Sequence, residues 1–396
     1  MASGTPKASI VAAARTAIGT ARRGTLVNMP ADELAKPVVQ AVVERSGIDV
    51  ADFDDLVLAE VLQGGGDTAR HITVDLGMTT VPGIAVNRQC ASSLSAIAFG
   101  AGDIAAGMSR AVLAGGMESI STSPLLRKRR PFTTGKSADD YDDPWFPNSH
   151  RPTPDAPALD MSITVAHNCA VEYDISRQEQ DEWALRSHQR AIKAIDSGSF
   201  LDEIIPISVP QADGTAALFS VDEHPRRESS METLSGLKVL HPEIEGFGVT
   251  AGNSSGINDA AAAVALAAPG TTANPLASVL SWAAVGVEPK RTGSGPIYAI
   301  PKALERAGRT LGDVALFEIN EAFAAQAIAC TRALGLDDEL VNVYGSGISL
   351  GHPIAASGAR MVTSAIYELR RRGGGLGVLS MCAGGGMGFA LVIEVA

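Results

Sequence analysis

Four short stretches of this sequence combine residue types that could carry covalent and acid/base chemistry. In VNRQCASSL, Cys90 stands just before a run in which Leu94, Ile97, Ala101 and Ile104 recur at helical spacing. Unpaired backbone N–H groups and the positive end of a helix dipole favour thiolate over thiol at such a place, which makes a nucleophile. A cysteine taken alone is more often a small buried residue, so its company must decide. In GISLGHPIAASGAR, His352 lies between Gly351 and Pro353 at another helix start, among small residues that let backbone and ligand approach closely. A single histidine there could equally be a hydrogen-bonded structural residue. MCAGGGMG sets Cys382 before three glycines, a loop whose N–H groups can converge on developing negative charge or simply turn between two strands. In EINEAFAAQ the polar pair Asn320 and Glu321 separates an apolar strand from an apolar helix. Ligands collect at strand ends of this kind, although Asn320 would also serve as a helix cap.

The elements that must position these residues read as an α/β protein. KASIVAA and DLVLAEVL have strand character, SSLSAIAFGAGDIAAG reads as a helix ended by Gly107, and RAVLAGG as a buried strand. The last third repeats the order. It opens on a helix PKALERAG with Pro301 at its start and Gly308 at its end, followed by strand VALFEI and helix EAFAAQAIACTRALG. A Gly-rich loop, a helix from about Pro353 and a hairpin of GVLSMC with GFALVIEVA complete it. The recurrence of loop, helix, strand and Gly-Gly suggests a duplicated half. Between the halves, roughly Thr122 to Ala251, the composition shifts to Pro, Asp, Arg and Ser. There Ser176 and Glu179 sign a capping box, Trp183, Ser187, Ala191 and Ile195 share a helix face, and Gly198 closes the helix. Such a long insertion reads as a largely irregular lid.

Composition narrows the possibilities. A chain of 396 residues with 45% hydrophobic content and 41 glycines has room for two core-forming units rich in close backbone approaches. Lys plus Arg number 32 against 44 Asp plus Glu, a net charge of −12 that repels nucleic acid and anionic membranes. An anionic ligand therefore needs a local cationic patch, and the RKRR run from Arg127 to Arg130 is either that, a subunit contact or a solvated loop. The apolar run at the start is broken by Arg15, and nowhere do 18 apolar residues run together, so neither a signal peptide nor a membrane span is expected. Cys90, Cys169, Cys330 and Cys382 form no C-x-x-C pair, which argues against a zinc site and fits free thiols in a reducing cytoplasm.

Taken together and in order, NRQCASSL, GGMES, TAGNSSGINDAAA, NEAFAAQ, GHPIAASGAR and CAGGGMG resemble the signature blocks of the thiolase family, over nearly the whole chain. The resemblance covers acetyl-CoA acetyltransferases and 3-ketoacyl-CoA thiolases. It implies two duplicated βαβαβαββ halves in a five-layer α-β-α-β-α arrangement with an inserted loop domain. The first half would span 1–121, completed by about 252–275, the insertion 122–251 and the second half 276–396. It implies Claisen condensation of an acyl-CoA with acetyl-CoA, or thiolytic cleavage of a 3-ketoacyl-CoA, with coenzyme A thioesters as substrates and no metal or other cofactor. By position, Cys90 resembles the acylated nucleophile, His352 the base that activates it, and Cys382 the acid/base of the second step. Asn320 resembles the residue holding a water that, with His352, forms one oxyanion site. The N–H groups of Cys90 and Gly384 resemble the other. Ser255 looks like a pantetheine contact, Met161 and Phe323 like its apolar flanks, and Arg226 and Thr233 sit where relatives touch the nucleotide end. Homodimers or homotetramers are implied as well. The chemistry asks for this division of labour, because acyl transfer needs a thiolate and an oxyanion hole whereas the Claisen step needs a second base and a second hole.

The chain departs from the family pattern at Tyr344, Ser346 and Ala355, which are bulkier or more polar than the usual residues, and at Asp160, where many members have His. MSITVAHN likewise replaces a more usual M-G-x-T-A-E-N. The catalytic set is intact, so these changes bear on acyl-pocket shape and substrate preference. Three rivals remain. A serine hydrolase would use Ser254 in GNSSG, before an Ala-rich helix and with His352 downstream, but leaves both Cys90 and Cys382 unexplained. A decarboxylating ketoacyl synthase resembles this fold but typically has a second His in place of Cys382. A silent thiolase-like binding protein would have no need of every reactive residue.

Overall fold

The computed structural model describes residues 6–142, 149–211, 213–272 and 274–396. Residues 1–5, part of the start read above, lie outside it. The first half runs through β1 (Ala8–Arg15), β2 (Gly19–Thr20), α1 (Ala31–Ser46), β3 (Asp55–Ala59), α2 (Thr68–Asp75), β4 (Gly83–Val86), α3 (Ser92–Ala105) and β5 (Ala111–Glu118). A long excursion carries α4 (Asn168–Glu172), α5 (Arg177–Asp196), β6 (Ile207–Pro210), β7 (Ala216–Phe219) and α6 (Met231–Ser235) before β8 (Asn258–Ala267) returns to the sheet. The second half contains β9 (Ala277–Gly286), α7 (Gly295–Ala307), β10 (Val314–Ile319), α8 (Ala324–Leu334), α9 (Ser357–Arg371), β11 (Gly375–Ala383) and β12 (Met387–Val395).

The duplication is visible in the pairing. In the first half β1 lies antiparallel to β8, β8 to β5, and β5 runs parallel to β3 and β3 to β4. In the second, β9 lies antiparallel to β12, β12 to β11, and β11 runs parallel to β10, whose Phe317 bridges Val341 in parallel where a fifth strand would stand. The halves join where Ala8–Ile10 pairs with Ala277–Val279.

Side-chain alternation sorts the strands into layers, as a period of two requires. In β12, Phe389, Leu391 and Ile393 face one core with α3 and α9, whereas Ala390 and Val392 face another with α7 and α8. In β5, Val112 and Ala114 join that shared core, whereas Ala111 and Leu113 pack against α1 and α2. The result is the five-layer α-β-α-β-α order expected from the resemblance. Helices α3 and α9 are buried nearly all round, as a middle layer between two sheets must be. They meet closely at their starts. A Cβ on Gly358 would lie 2.8 Å from the Leu94 nitrogen, and the Ala359 N–H donates to Ser93 Oγ at 3.0 Å.

Two elements differ from the sequence reading. The Ala-rich run after GNSSG is the strand β8, buried along its whole length between β1 and β5. Alanine favours helices in isolation, but a central strand pressed by neighbours on both faces selects small side chains, and tertiary context overrides propensity. Helix α7 begins at Gly295, with Pro296 in its first turn, so Pro301 lies inside the helix rather than at its start. Pro296, not Pro301, supplies the start signal. The capping box of Ser176 with Glu179 is formed as read.

Candidate active site

Cys90 sits in the connection between β4 and α3, which local bonds hold rigid. Asn87 Oδ1 accepts from the Gln89 N–H at 2.9 Å, and Ser92 Oγ accepts from the Arg88 N–H at 2.7 Å while donating to the Gln89 carbonyl at 2.6 Å. These bonds keep Gln89 at φ 50°, an uncommon conformation for a side-chain-bearing residue. Although Cys90 is partly accessible, its thiol is enclosed. Burial pushes the thiol up to about 11, outweighing the N–H groups of Gly384 and Cys90 that donate to it. This differs from the standing thiolate expected of a helix start. Desolvation of the charged form exceeds what the backbone dipoles return, so a base must take the proton during reaction.

The Gly384 N–H brings the turn between β11 and β12 onto Cys90. Cys382, at the end of β11, is 2% exposed and packs with Val165 and Ala322, against Met161 and Phe323. Burial again drives its thiol well above the ordinary value, with the nearby Cys90 sulfur adding to the effect. The turn continues through Gly385 and Gly386 at φ 93° and 81°.

His352 lies just before α9. Its Nδ1 is 2.7 Å from Ser357 Oγ, and its backbone N–H donates to Asn258 Oδ1 at 3.0 Å. Burial, helped by the Arg360 charge, lowers the ring to about 4, so it is neutral near pH 7. Among the described residues its Nε2 has no hydrogen-bond partner, and neither side-chain atom of the buried Asn320 has one. Leu316 of β10 faces the middle layer and Phe317 and Ile319 the outer one, so Asn320, continuing the alternation just past the strand, lies on the middle-layer side that α9 occupies. A buried polar group left unpaired costs about 1–3 kcal/mol, and such groups cluster where a ligand is to be met.

The strap from Thr250 to Ile257 closes the other side. The Ser255 N–H donates to the Ala322 carbonyl at 3.0 Å, Ser254 bridges Phe323, and Ile257 bridges His352. Ser254 Oγ donates to the Thr250 carbonyl, and a strand follows it, so the strand–turn–helix elbow of a serine hydrolase is not formed. Arg226 and Thr233 lie on the exposed surface of the excursion. The Arg226 N–H donates to His188 Nδ1, and the Thr233 hydroxyl is engaged in a capping box with Ser230. In the RKRR run, Arg130 pairs with Asp142 and Arg129 donates to the Thr133 carbonyl. Tyr344 packs edge-on against Phe200 and its hydroxyl reaches Glu368, which places its bulk between α9 and the excursion. Asp160 caps the Ser162 N–H and pairs with His241 at 2.8 Å, beside Met161.

The supporting roles of two glutamates escaped the sequence reading, which noted Glu321 only as the polar neighbour of Asn320. Glu118 accepts from Leu62, Gln63 and Ala355, and Glu321 from Trp183, Asn342, Ser187 and Ile348, each a buried carboxylate tying three segments together. A charged residue inside an apolar run was their only signal, and it does not name partners far away in sequence.

Two enclosed thiols, those of Cys90 and Cys382, lie side by side in a duplicated α/β fold, and similarity to known proteins makes the chain an acyltransferase. Residues 8–269 match the family model for the thiolase N-terminal domain and residues 273–395 that for the thiolase C-terminal domain, and the chain belongs to the thiolase family. It is 41% identical to an acetyl-CoA acetyltransferase of Escherichia coli, over 97% of this chain and 98% of that one. It is 40% identical to a beta-ketoadipyl-CoA thiolase of Acinetobacter baylyi, over 98% and 99%. Among solved structures, the Bacillus anthracis acetyl-CoA acetyltransferase superposes with a TM-score of 0.91 at 40% identity over the whole of both chains. The human mitochondrial 3-ketoacyl-CoA thiolase in complex with CoA gives 0.88 at 36% identity over 98% of each.

Proposed function

We propose that this thiolase moves an acyl group between coenzyme A thioesters through an acyl-enzyme on Cys90, condensing acyl-CoA with acetyl-CoA or cleaving 3-ketoacyl-CoA. The observation that carries the reading is the Gly384 N–H directed at the Cys90 thiol, with the Cys382 thiol beside it. His352 Nε2 takes the Cys90 proton, the sulfur attacks the thioester carbonyl, and the N–H groups of Cys90 and Gly384 hold the tetrahedral oxyanion. The departing coenzyme A sulfur takes its proton from Cys382. This leaves a Cys382 thiolate opposite an imidazolium, an arrangement that a buried thiol of high pKa suits because it makes a strong base. Cys382 then removes the α-proton of acetyl-CoA, while His352 and a water on Asn320 hold the enolate oxygen. Attack on the acyl group expels the Cys90 sulfur, which recovers its proton from His352, so all three groups return to their starting states.

Ser255, Met161 and Phe323 suit the pantetheine arm, and Arg226 and Thr233 the nucleotide end, with 122–251 as the lid between the halves 1–121 and 276–396. The CoA complex of the human relative supports this choice of ligand. The reaction needs neither metal nor a further cofactor. We also propose a homodimer or homotetramer working in fatty-acid metabolism of the cytoplasm, where the four free cysteines persist. No helix among the described residues is long and apolar enough to cross a membrane. Mass spectrometry after mixing with acetyl-CoA should find one acetyl group on Cys90, and acetylation elsewhere would refute the reading. A panel of acyl-CoA and 3-ketoacyl-CoA thioesters assayed in both directions then gives chain length and direction.

A further inference from the structure

We propose that the buried ion pair of Arg360 with Glu318 is a positioning device that fixes His352 against Asn320 for the enolate step. The inference rests on the roles given above to those two residues. Arg360 Nη1 lies 3.2 Å from Glu318 Oε2, both side chains being 2% exposed, and Arg360 Nη2 donates to Ser346 Oγ at 3.1 Å. Each partner is one step from the chemistry. Glu318 of β10 precedes Asn320, the residue just past the strand, by two positions and so lies on the same inward side. Arg360 follows Ser357 by three residues on α9, on the same side of the helix, and Ser357 Oγ holds His352 Nδ1. Ser346 closes the ring, because the next residue, Gly347, approaches so near that a Cβ on it would lie 2.9 Å from Asn320 Oδ1. Strand, helix and loop are thus tied together between the serine that holds His352 and the loop that lies against Asn320.

Stability alone does not account for the pair. Two charges buried in the middle layer lose hydration that their attraction barely returns, and apolar replacements of similar volume are often neutral or stabilising. A fixed geometry and a fixed charge are what an apolar replacement would lack. The guanidinium also discourages protonation of His352, keeping the ring neutral and ready to accept the Cys90 proton. Ser346 belongs to the same device. It stands where the family pattern has glycine, and its hydroxyl serves Arg360 rather than an acyl pocket.

The test compares Arg360→Lys, Arg360→Met and the double variant Arg360→Met with Glu318→Leu. The double variant leaves no unpaired buried charge and so keeps a folded protein for assay. Acylation is read as the burst of free coenzyme A and condensation as steady turnover, across pH. We expect condensation kcat to fall at least tenfold in the double variant with KM for acetyl-CoA within about twofold. The acid limb of acylation should move upward by about one pH unit in the double variant and stay in place in Arg360→Lys. A double variant with the parent kcat and acid limb would overturn the positioning role. His352→Ala separates the two readings: if it too kept the parent acid limb, the limb would not belong to His352 and the base assignment itself would fail.

Discussion

The Ser357 hydroxyl stands between His352 Nδ1, 2.7 Å away, and the Pro353 carbonyl, to which it donates at 2.9 Å. A hydroxyl has one proton, and the carbonyl can only accept it. The bond to the ring must therefore come from the imidazole, which places the N–H at Nδ1 and a lone pair at Nε2. Nε2 is the nitrogen left without a partner among the described residues, so the tautomer is set through Ser357.

Ser357→Ala should accordingly slow acylation of Cys90 by about tenfold, corresponding to ~1.4 kcal/mol, through a ring free to adopt the wrong tautomer. Ser357→Thr, which keeps the hydroxyl, should recover most of the rate. Equal burst rates in the alanine variant and the parent would show that the ring is held by its backbone contacts alone.

The two thiols should separate the half-reactions. Cys90→Ala abolishes acyl-enzyme and turnover together. Cys382→Ala still acylates Cys90 on mixing with acetyl-CoA, more slowly because coenzyme A must leave as a thiolate or take its proton from solvent, but forms carbon-carbon bonds at least 10²-fold more slowly, the usual scale of lost acid/base help. Stopped-flow detection of free coenzyme A beside steady-state condensation distinguishes them, and a Cys382→Ala variant condensing at the parent rate would remove Cys382 from the mechanism.

Cys90, His352 and the glycine loop were legible as candidate site residues because each lies at a turn where polar or small residues interrupt apolar periodicity. Cys90 precedes Ser92, His352 precedes Ser357, and Cys382 precedes three glycines, so local sequence alone marks them. The duplication was legible in the repeated order of loop, helix and strand, whereas the five-layer order came from the family resemblance. What escaped was long-range. The Asn258–Ala267 run read as a helix because its burial by β1 and β5 depends on segments far away in the chain. The Arg360–Glu318 pair spans 42 residues. The high pKa of the Cys90 thiol reflects enclosure by the whole pocket, which a helix start cannot report.

The glycine turn should be unequally tolerant. A Cβ on Gly386 would stand 2.2 Å from the Val287 carbonyl oxygen, and φ is 81°. Gly386→Ala should cost about 2 kcal/mol or more and lower the melting temperature by several degrees. A Cβ on Gly384 meets nothing nearer than 3.6 Å, so Gly384→Ala should melt within a degree or two of the parent. Equal melting of the two variants would contradict the turn geometry.

Acid should destabilise the fold through its buried histidines. Burial lowers His188, His224 and His352 to about 4. The unfolded chain then binds protons first as pH falls below about 6.5, so their contribution is whole above that value and drains away down to about pH 4. Glu118 and Glu318, raised to about 7 by burial, act in the opposite sense. Their contribution is whole below about 4.5 and is lost as pH rises through 7, so they offset part of the histidine effect between those limits. His188 is the residue to change, since it lies outside the thiol pocket, faces His224 and Arg226, and accepts a bond from the Arg226 N–H that a glutamine oxygen could replace. In urea denaturation, His188→Gln should lose about 2 kcal/mol less than the parent on going from pH 7 to 5, because one proton taken up only on unfolding is worth about 1.4 kcal/mol for each pH unit below 6.5. If the two proteins lose the same amount, His188 does not take up its proton on unfolding in that window.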